Sequence, residues 1–152
     1  MAKARGDRKT LGLFDWEPPD IVRRFDPERV RTATLRARIA KAVSEALKDS
    51  DIKRKDIAGA MSAWLGEDVT KNMLDAYASE ARGEHTIPYL RLLALVHVTG
   101  DLRLLQLGAE MFGAAVVDEK FLPWVEVGRL ADRKEDIGKA FEAARRQAKR
   151  RP

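Results

Sequence analysis

Apolar residues recur every three or four positions along most of this 152-residue chain, which is the spacing that lines up one face of an α-helix. No stretch shows the strict apolar–polar alternation of a half-buried strand. We therefore predict an all-α fold in which five helices form one compact domain. The predicted helices cover residues 27 to about 49, 52–65, 71 to about 82, 89–99 and 102 to about 112.

Residues that commonly begin or end helices support these bounds. Asp26 is expected to cap the first helix and Pro27 to occupy its first position. Gly66 and Gly100 are expected to end the second and fourth helices. The third and fifth helices are expected to begin at caps formed by Thr70 and Asp101, and the fourth to begin after Pro88. The fourth helix is apolar nearly all round, so we expect it at the centre of the domain, with His97 in or near the core.

The second and third helices each have an apolar side that is expected to be buried. On the second helix these residues are Ile57, Ala58, Met61, Trp64 and Leu65. On the third helix they are Met73, Leu74 and Tyr77, which leaves Ala76 and Ala78 on the outer side.

A last helix is predicted from about Trp124 to Arg150, after a segment over residues 114–117 that is briefly extended. Its apolar residues alternate between three- and four-residue steps, with Lys134 at one polar position. They are Val127, Leu130, Ile137, Phe141, Ala144 and Ala148. This short heptad pattern fits a homodimer through the C-terminal helix, and it also fits a helix that covers the core of its own chain.

The chain divides into an N-terminal arm (1–25), a helical domain (26–113), and a linker with the C-terminal helix and basic tail (114–152). Pro18 and Pro19 prevent a continuous helix in the arm, so an extended segment is expected there. This segment either packs on its own domain or docks on a partner through Phe14 and Trp16.

The net charge of +5 is unevenly distributed. Residues 1–10 carry +3 and residues 145–152 carry +5, so the intervening residues sum to −3. Basic ends suit a polyanion such as double-stranded DNA, although solubilising tails have the same composition.

Enzymatic chemistry finds little support in the sequence. There is no cysteine, and the two histidines, His85 and His97, lack the spacing of metal ligands. No glycine-rich phosphate loop with its lysine is present. We therefore expect no catalytic residue, no metal and no cofactor. No apolar run approaches the ~18 residues of a membrane span, and the lack of cysteine fits a reducing cytoplasm.

The stretches "IKRKDIAGAM", "VTKNMLDAY" and "IPYLRLLALVHVTG" resemble the helix-turn-helix domain of the lambda-repressor and Cro type. The resemblance covers about residues 35–112. The sequence departs from the family in the link between Met61 and Val69, which is longer than the family's compact turn.

The resemblance implies that the third helix reads DNA. Residues expected to face bases are Lys71, Asn72, Asp75 and Ser79. Residues expected to face phosphates are Lys53, Arg54, Lys55, Arg82, Arg145, Arg146 and Lys149. Residues 53–82 carry five basic and five acidic side chains, so much of the attraction to DNA would have to come from the basic ends.

A second resemblance covers most of the chain. "LFDWEPPDIVRRF", "RIAKAVSEALKDS", "DIAGAMSAWLGEDVTKNMLDAYASEARGEHTIP" and "GAEMFGAAVV" resemble a small protein from the early region of Mu-like transposable phages and prophages, which is described as DNA-binding. It implies a transcriptional regulator in the cytoplasm of a bacterial cell, associated with the nucleoid. The alternative is a non-catalytic adaptor for a phage or host protein such as RNA polymerase or the transposition machinery.

Overall fold

The computed structural model describes residues 21–82 and 84–150, and within these ranges the chain forms α-helices and no strand. The helices are α1 (Leu35–Asp49), α2 (Arg54–Leu65), α3 (Lys71–Tyr77), α4 (Tyr89–Thr99), α5 (Arg103–Glu110) and α6 (Leu122–Arg150), with a 3₁₀ turn at Glu119–Phe121 before α6. The prediction of an all-α chain is confirmed. Most of the predicted helices also fall where the apolar periodicity placed them.

The five helices α1 to α5 enclose one hydrophobic core. The helix α2 packs against α4 and α3, while α1 packs against α5 and α3. Each of these five helices contributes side chains that are completely or almost completely buried, among them Val43, Ile57, Leu74, Leu95 and Gln106. This packing removes apolar surface from water and is the main source of the domain's stability.

The predicted start of the first helix is wrong. Asp26 begins a single turn in which its carboxylate Oδ1 accepts from the backbone N–H of Glu28 at 3.0 Å. The true helix begins at Leu35, where the hydroxyl of Thr34 accepts from the N–H of Ala37 at 3.2 Å. Asp-Pro suits a turn as well as a helix start. In this chain the turn is formed, and Val30 directly after it is buried in the core.

An ion network fixes the segment before α1 to the domain. The Arg29 guanidinium donates to the carboxylates of Glu45, through Nε at 2.7 Å, and of Asp49, through Nη2 at 2.8 Å. Asp49 also pairs with Arg103, whose guanidinium lies 4.4 Å from the ring centroid of Phe25. The hydrogen bond from Arg29 lowers the pKa of Asp49, so this carboxylate stays charged. Phe25, which this Arg103 guanidinium contacts, is buried in the core.

Two aromatic side chains that the periodicity assigned to the interior lie at the surface. Trp64 is 48% exposed, and its indole stacks on the imidazole of His97 with ring centroids 4.8 Å apart. His97 is exposed as well, so the prediction of a core or near-core histidine is wrong. At the start of α4, Tyr89 and Leu90 are also exposed. The helix is therefore fully buried only at Ala94, Leu95 and Val96 and is not central along its whole length.

The C-terminal helix α6 differs from the others because none of its 29 residues is buried. The segment before it is attached to the domain by Gln106, whose buried side-chain oxygen accepts from the N–H of Val116 at 2.7 Å. Among the described residues, no helix is both long and apolar enough to cross a membrane. Phe14 and Trp16 lie outside the described residues.

Candidate nucleic-acid interface

The connection between α2 and α3 is held in place by one serine. Gly66 ends α2 in the left-handed conformation (φ 70°), which favours glycine because it has no Cβ. The Ser62 hydroxyl then accepts from the N–H of Val69 at 2.8 Å and lies 3.1 Å from the carbonyl oxygen of Val69. Val69 itself is buried. The connection is thus well anchored although it is longer than a compact helix-turn-helix turn.

The helix α3 begins as predicted and ends earlier than predicted. The Thr70 hydroxyl accepts from the N–H of Met73 at 3.2 Å, which confirms Thr70 as the cap. The helix stops at Tyr77, and not near Arg82, because the chain turns away. The N–H of Ser79 donates to the carbonyl of Ala76 at 3.2 Å, in the tighter geometry of a final turn.

The early end of α3 changes the side chains that this helix can present. Ser79 and Arg82 belong to the following turns, so the helix cannot direct them into a groove. Ala76 is buried, contrary to the prediction that it faces outward. The chain then returns to the core at Ile87, which is also buried. The exposed edge of α3 is limited to its N-terminal end, where Lys71 and Asn72 lie.

The acidic residue on this helix is neutralised by two cations. One carboxylate oxygen of Asp75 lies 2.6 Å from Nη1 of Arg54, and the other lies 2.6 Å from Nζ of Lys71. Hydrogen bonds from Lys71 and then Arg54 lower the pKa of Asp75. The carboxylate is therefore charged near neutral pH, but its negative field is largely compensated. It also links the first turn of α2 to α3.

The predicted phosphate-facing residues fall into two groups that the fold does not bring together. Lys53 and Lys55 lie exposed at the N-terminal end of α2, near Arg54 and therefore near α3. Neither forms an ion pair with another described residue. The second group, Arg145, Arg146 and Lys149, lies near the C-terminal end of α6, which buries nothing against α1–α5.

A cation on α4 supports the back of α3. The Arg91 guanidinium donates to the hydroxyl of Tyr77 and, through Nε, to the carboxylate of Glu67 at 3.0 Å. The hydrogen bond with Tyr77 is the chief cause of the raised pKa of Arg91. This residue joins the α2–α3 connection, the end of α3 and α4. Its only signal in the sequence is that an arginine interrupts an otherwise mostly apolar helix.

The described residues form one sizeable apolar groove and no group of metal ligands. An apolar groove of about 470 Å³ opens between the first turns of α1 and α4 and the end of α5. Its walls include Leu35, Tyr89, Leu105 and Phe112. Within the described residues, no three His, Cys, Asp or Glu side chains form a group that suits a metal ion.

Comparisons with protein-family models, with curated proteins and with solved structures found no match to this chain.

Proposed function

We propose that α2, the connection 66–70 and α3 act as a helix-turn-helix that binds double-stranded DNA, and that the chain is a transcriptional regulator of phage or prophage type. The observation that carries this proposal is the pairing of Asp75 with Arg54 and Lys71. It removes the main electrostatic obstacle to placing α3 beside phosphates. It leaves Asn72 and the Lys71 ammonium on the exposed N-terminal edge, the end of a recognition helix that contacts bases.

In this proposal the residues divide by task. Asn72 reads a base edge, because its amide can both donate to and accept from one base. Lys53 and Lys55 contact phosphates beside the start of α2, where free backbone N–H groups also favour anions. Arg54 and Asp75 position α3 and do not contact bases. Ser79 and Arg82, which lie beyond the helix, contact at most the sugar-phosphate backbone of the DNA.

A second candidate function is a non-catalytic adaptor that binds a phage or host protein. The apolar groove between α1, α4 and α5 favours it, because apolar grooves of this size commonly accept side chains of a partner. Localisation at the nucleoid follows from the first candidate function and also from an adaptor for RNA polymerase or transposition machinery.

The test begins with selection of bound duplexes from genomic DNA, followed by titration of the purified protein on a selected duplex and a scrambled one. We expect Asn72→Ala to reduce the preference for the selected duplex by roughly 1–3 kcal/mol, with little effect on the scrambled one. Glu80→Ala provides the control, because Glu80 is exposed beyond the end of α3. It should leave the preference unchanged.

The same titrations at several salt concentrations measure the role of the basic end. If Arg146 and Lys149 each neutralise a phosphate, replacing both by alanine should flatten the slope of log affinity against log salt by about 1.8. Lys139→Ala is the matched control, since its ammonium pairs with Glu135 of the same helix at 2.7 Å. Purified protein that binds no selected duplex contradicts direct DNA binding and supports the adaptor.

A further inference from the structure

We propose that two copies of this chain associate through α6 as an antiparallel helix pair. The interface is the seam defined by Val127, Leu130, Lys134, Ile137, Phe141, Ala144 and Ala148, which share one face of the helix. The proposal concerns self-association and does not depend on whether α3 binds DNA.

The first argument is the exposure of the seam. Its four large apolar side chains are 52% (Val127), 56% (Leu130), 62% (Ile137) and 65% (Phe141) exposed. A contiguous apolar stripe of this length is unusual on the surface of a monomer and marks an interface. The domain does not cover it, because the segment that leads into α6 is held at Val116 by Gln106 and α6 then continues without burying any residue.

The second argument is the distribution of charge, which identifies a second copy as the partner. From Asp118 to Arg129, at the N-terminal end of α6 and just before it, three acidic residues (Asp118, Glu119 and Glu126) exceed two basic ones (Lys120 and Arg129). At the C-terminal end, Arg145, Arg146, Lys149 and Arg150 have Glu142 as their acidic neighbour. An antiparallel copy places each basic end beside the acidic end of the other chain. A parallel copy places the two basic ends together, where they repel.

The polar position in the seam supports the same orientation. In a parallel, in-register pair, Lys134 meets Lys134 of the other copy at the centre of the interface. In the antiparallel pair centred between Glu135 and Asp136, Lys134 meets the other copy's Ile137. Its aliphatic stem then packs there while its ammonium reaches solvent.

This antiparallel register also matches side chains by size. Val127 lies opposite Ala144 of the other copy, and Leu130 lies opposite Phe141. Beside the seam, Trp124 lies near Arg145 of the other copy, within reach of a cation–π contact. The exposed intrahelical pair of Arg145 with Glu142, at 3.7 Å, is long and does not prevent this contact.

The register fixes a distance that a parallel pair would not give. Each α6 runs about 13 residues from Leu122 to the centre, so the two helix starts lie roughly 40 Å apart at ~1.5 Å per residue.

Cross-linking of single cysteines tests the register cleanly, because the natural chain has no cysteine. Under mild oxidation, a mixture of Leu130→Cys and Phe141→Cys chains, one of them tagged, should form a mixed disulfide dimer. Val127→Cys alone should not cross-link to itself, because the two copies of this position lie roughly 25 Å apart along the antiparallel pair at ~1.5 Å per residue. Self-cross-linking of Val127→Cys, or no cross-link in the mixture, overturns the antiparallel register.

Sedimentation equilibrium tests the association itself. We expect the natural chain to be a dimer at micromolar concentration, and Leu130→Asp, which faces Phe141 of the other copy, to weaken association at least roughly 100-fold, because each dimer would bury two added charges. Ala143→Asp is the matched control, since this position of α6 lies outside the seam. A monomeric natural chain overturns the proposal, as does a dimer that Tyr89→Asp in the groove dissociates while Leu130→Asp does not.

Discussion

The helices α4 and α6 both carry long apolar stripes, yet the chain uses them in opposite ways. In α4 the apolar residues Ala94, Leu95 and Val96 are buried against the other helices of the domain. In α6 the seam runs from Val127 to Ala148, and none of the helix's 29 residues is buried. Periodicity therefore identifies which face of a helix is apolar, and it does not identify what covers that face.

The difference between the two helices lies in how their ends are held. Pro88 and Gly100 bound α4 closely, and Arg91 links its first turn to Tyr77 and Glu67 of the preceding elements. The segment before α6 is held by a hydrogen bond from the N–H of Val116 to Gln106, and α6 itself buries no residue. Helix α4 thus contributes to the stability of the domain, whereas α6 contributes little to its core.

The largest expected effect distinguishes these roles directly. Leu95 is completely buried, so Leu95→Ala should lower the free energy of unfolding by roughly 2–5 kcal/mol through lost burial and a cavity. Phe141→Ala removes a larger side chain from α6 and should leave the unfolding of the domain unchanged. Urea denaturation, at a concentration low enough to keep the chain monomeric, measures both.

Two outcomes would break this comparison. A loss of domain stability in Phe141→Ala at high dilution would mean that α6 packs on its own domain in solution. A small effect of Leu95→Ala would mean that the core near α4 relaxes around the missing side chain.

Much of the fold could be predicted from the sequence, because the position of a helix depends mainly on residues that are close together in the chain. The apolar spacing and the stops at Gly66 and Gly100 located most helix bounds, and Thr70 was recognised as a cap. The errors arose where the same short sequence pattern is compatible with two different structures. Asp26-Pro27 suits a turn as well as a helix start, and Trp64 continues an apolar stripe whether or not anything lies over it.

The candidate site was less predictable, because its geometry depends on contacts between distant residues. The sequence assigned Asp75 and Arg54 to the candidate interface, but their ion pair joins positions 21 residues apart and could not be read from it. The end of α3 at Tyr77 follows from the path that returns the chain to Ile87. Ser62 and Gln106 are single polar residues whose importance appears once Val69 and Val116 are found beside them.

A second prediction compares two neighbouring positions of α2, one that anchors the α2–α3 connection and one on the exposed surface. Ser62→Ala removes the acceptor for the N–H of Val69 in a partly buried setting and should cost about 1–3 kcal/mol of unfolding free energy. Ala63→Ser, at an exposed neighbouring position, should change it by less than about 0.5 kcal/mol. Thermal and urea denaturation measure the difference. Equal effects of the two changes would mean that Ser62 does not hold the connection.

The smallest expected effect concerns ion pairs. It compares how the free energy of unfolding depends on pH when a pair in the domain is broken and when a pair on α6 is broken. The pKa of Asp75 is lowered in the folded chain by Lys71 and Arg54, so its pairing contributes stability above the unfolded pKa of about 3.9. That contribution is lost as the pH falls from there through the folded pKa. Asp75→Asn should therefore cost less than about 1 kcal/mol near pH 6, and the difference from the natural chain should shrink toward pH 2.5. Glu135→Gln, which breaks the exposed pair with Lys139 on α6, should not affect domain unfolding at either pH. Urea denaturation across this pH range decides the point: a constant difference for Asp75→Asn would mean that the carboxylate's charge does not join α2 to α3.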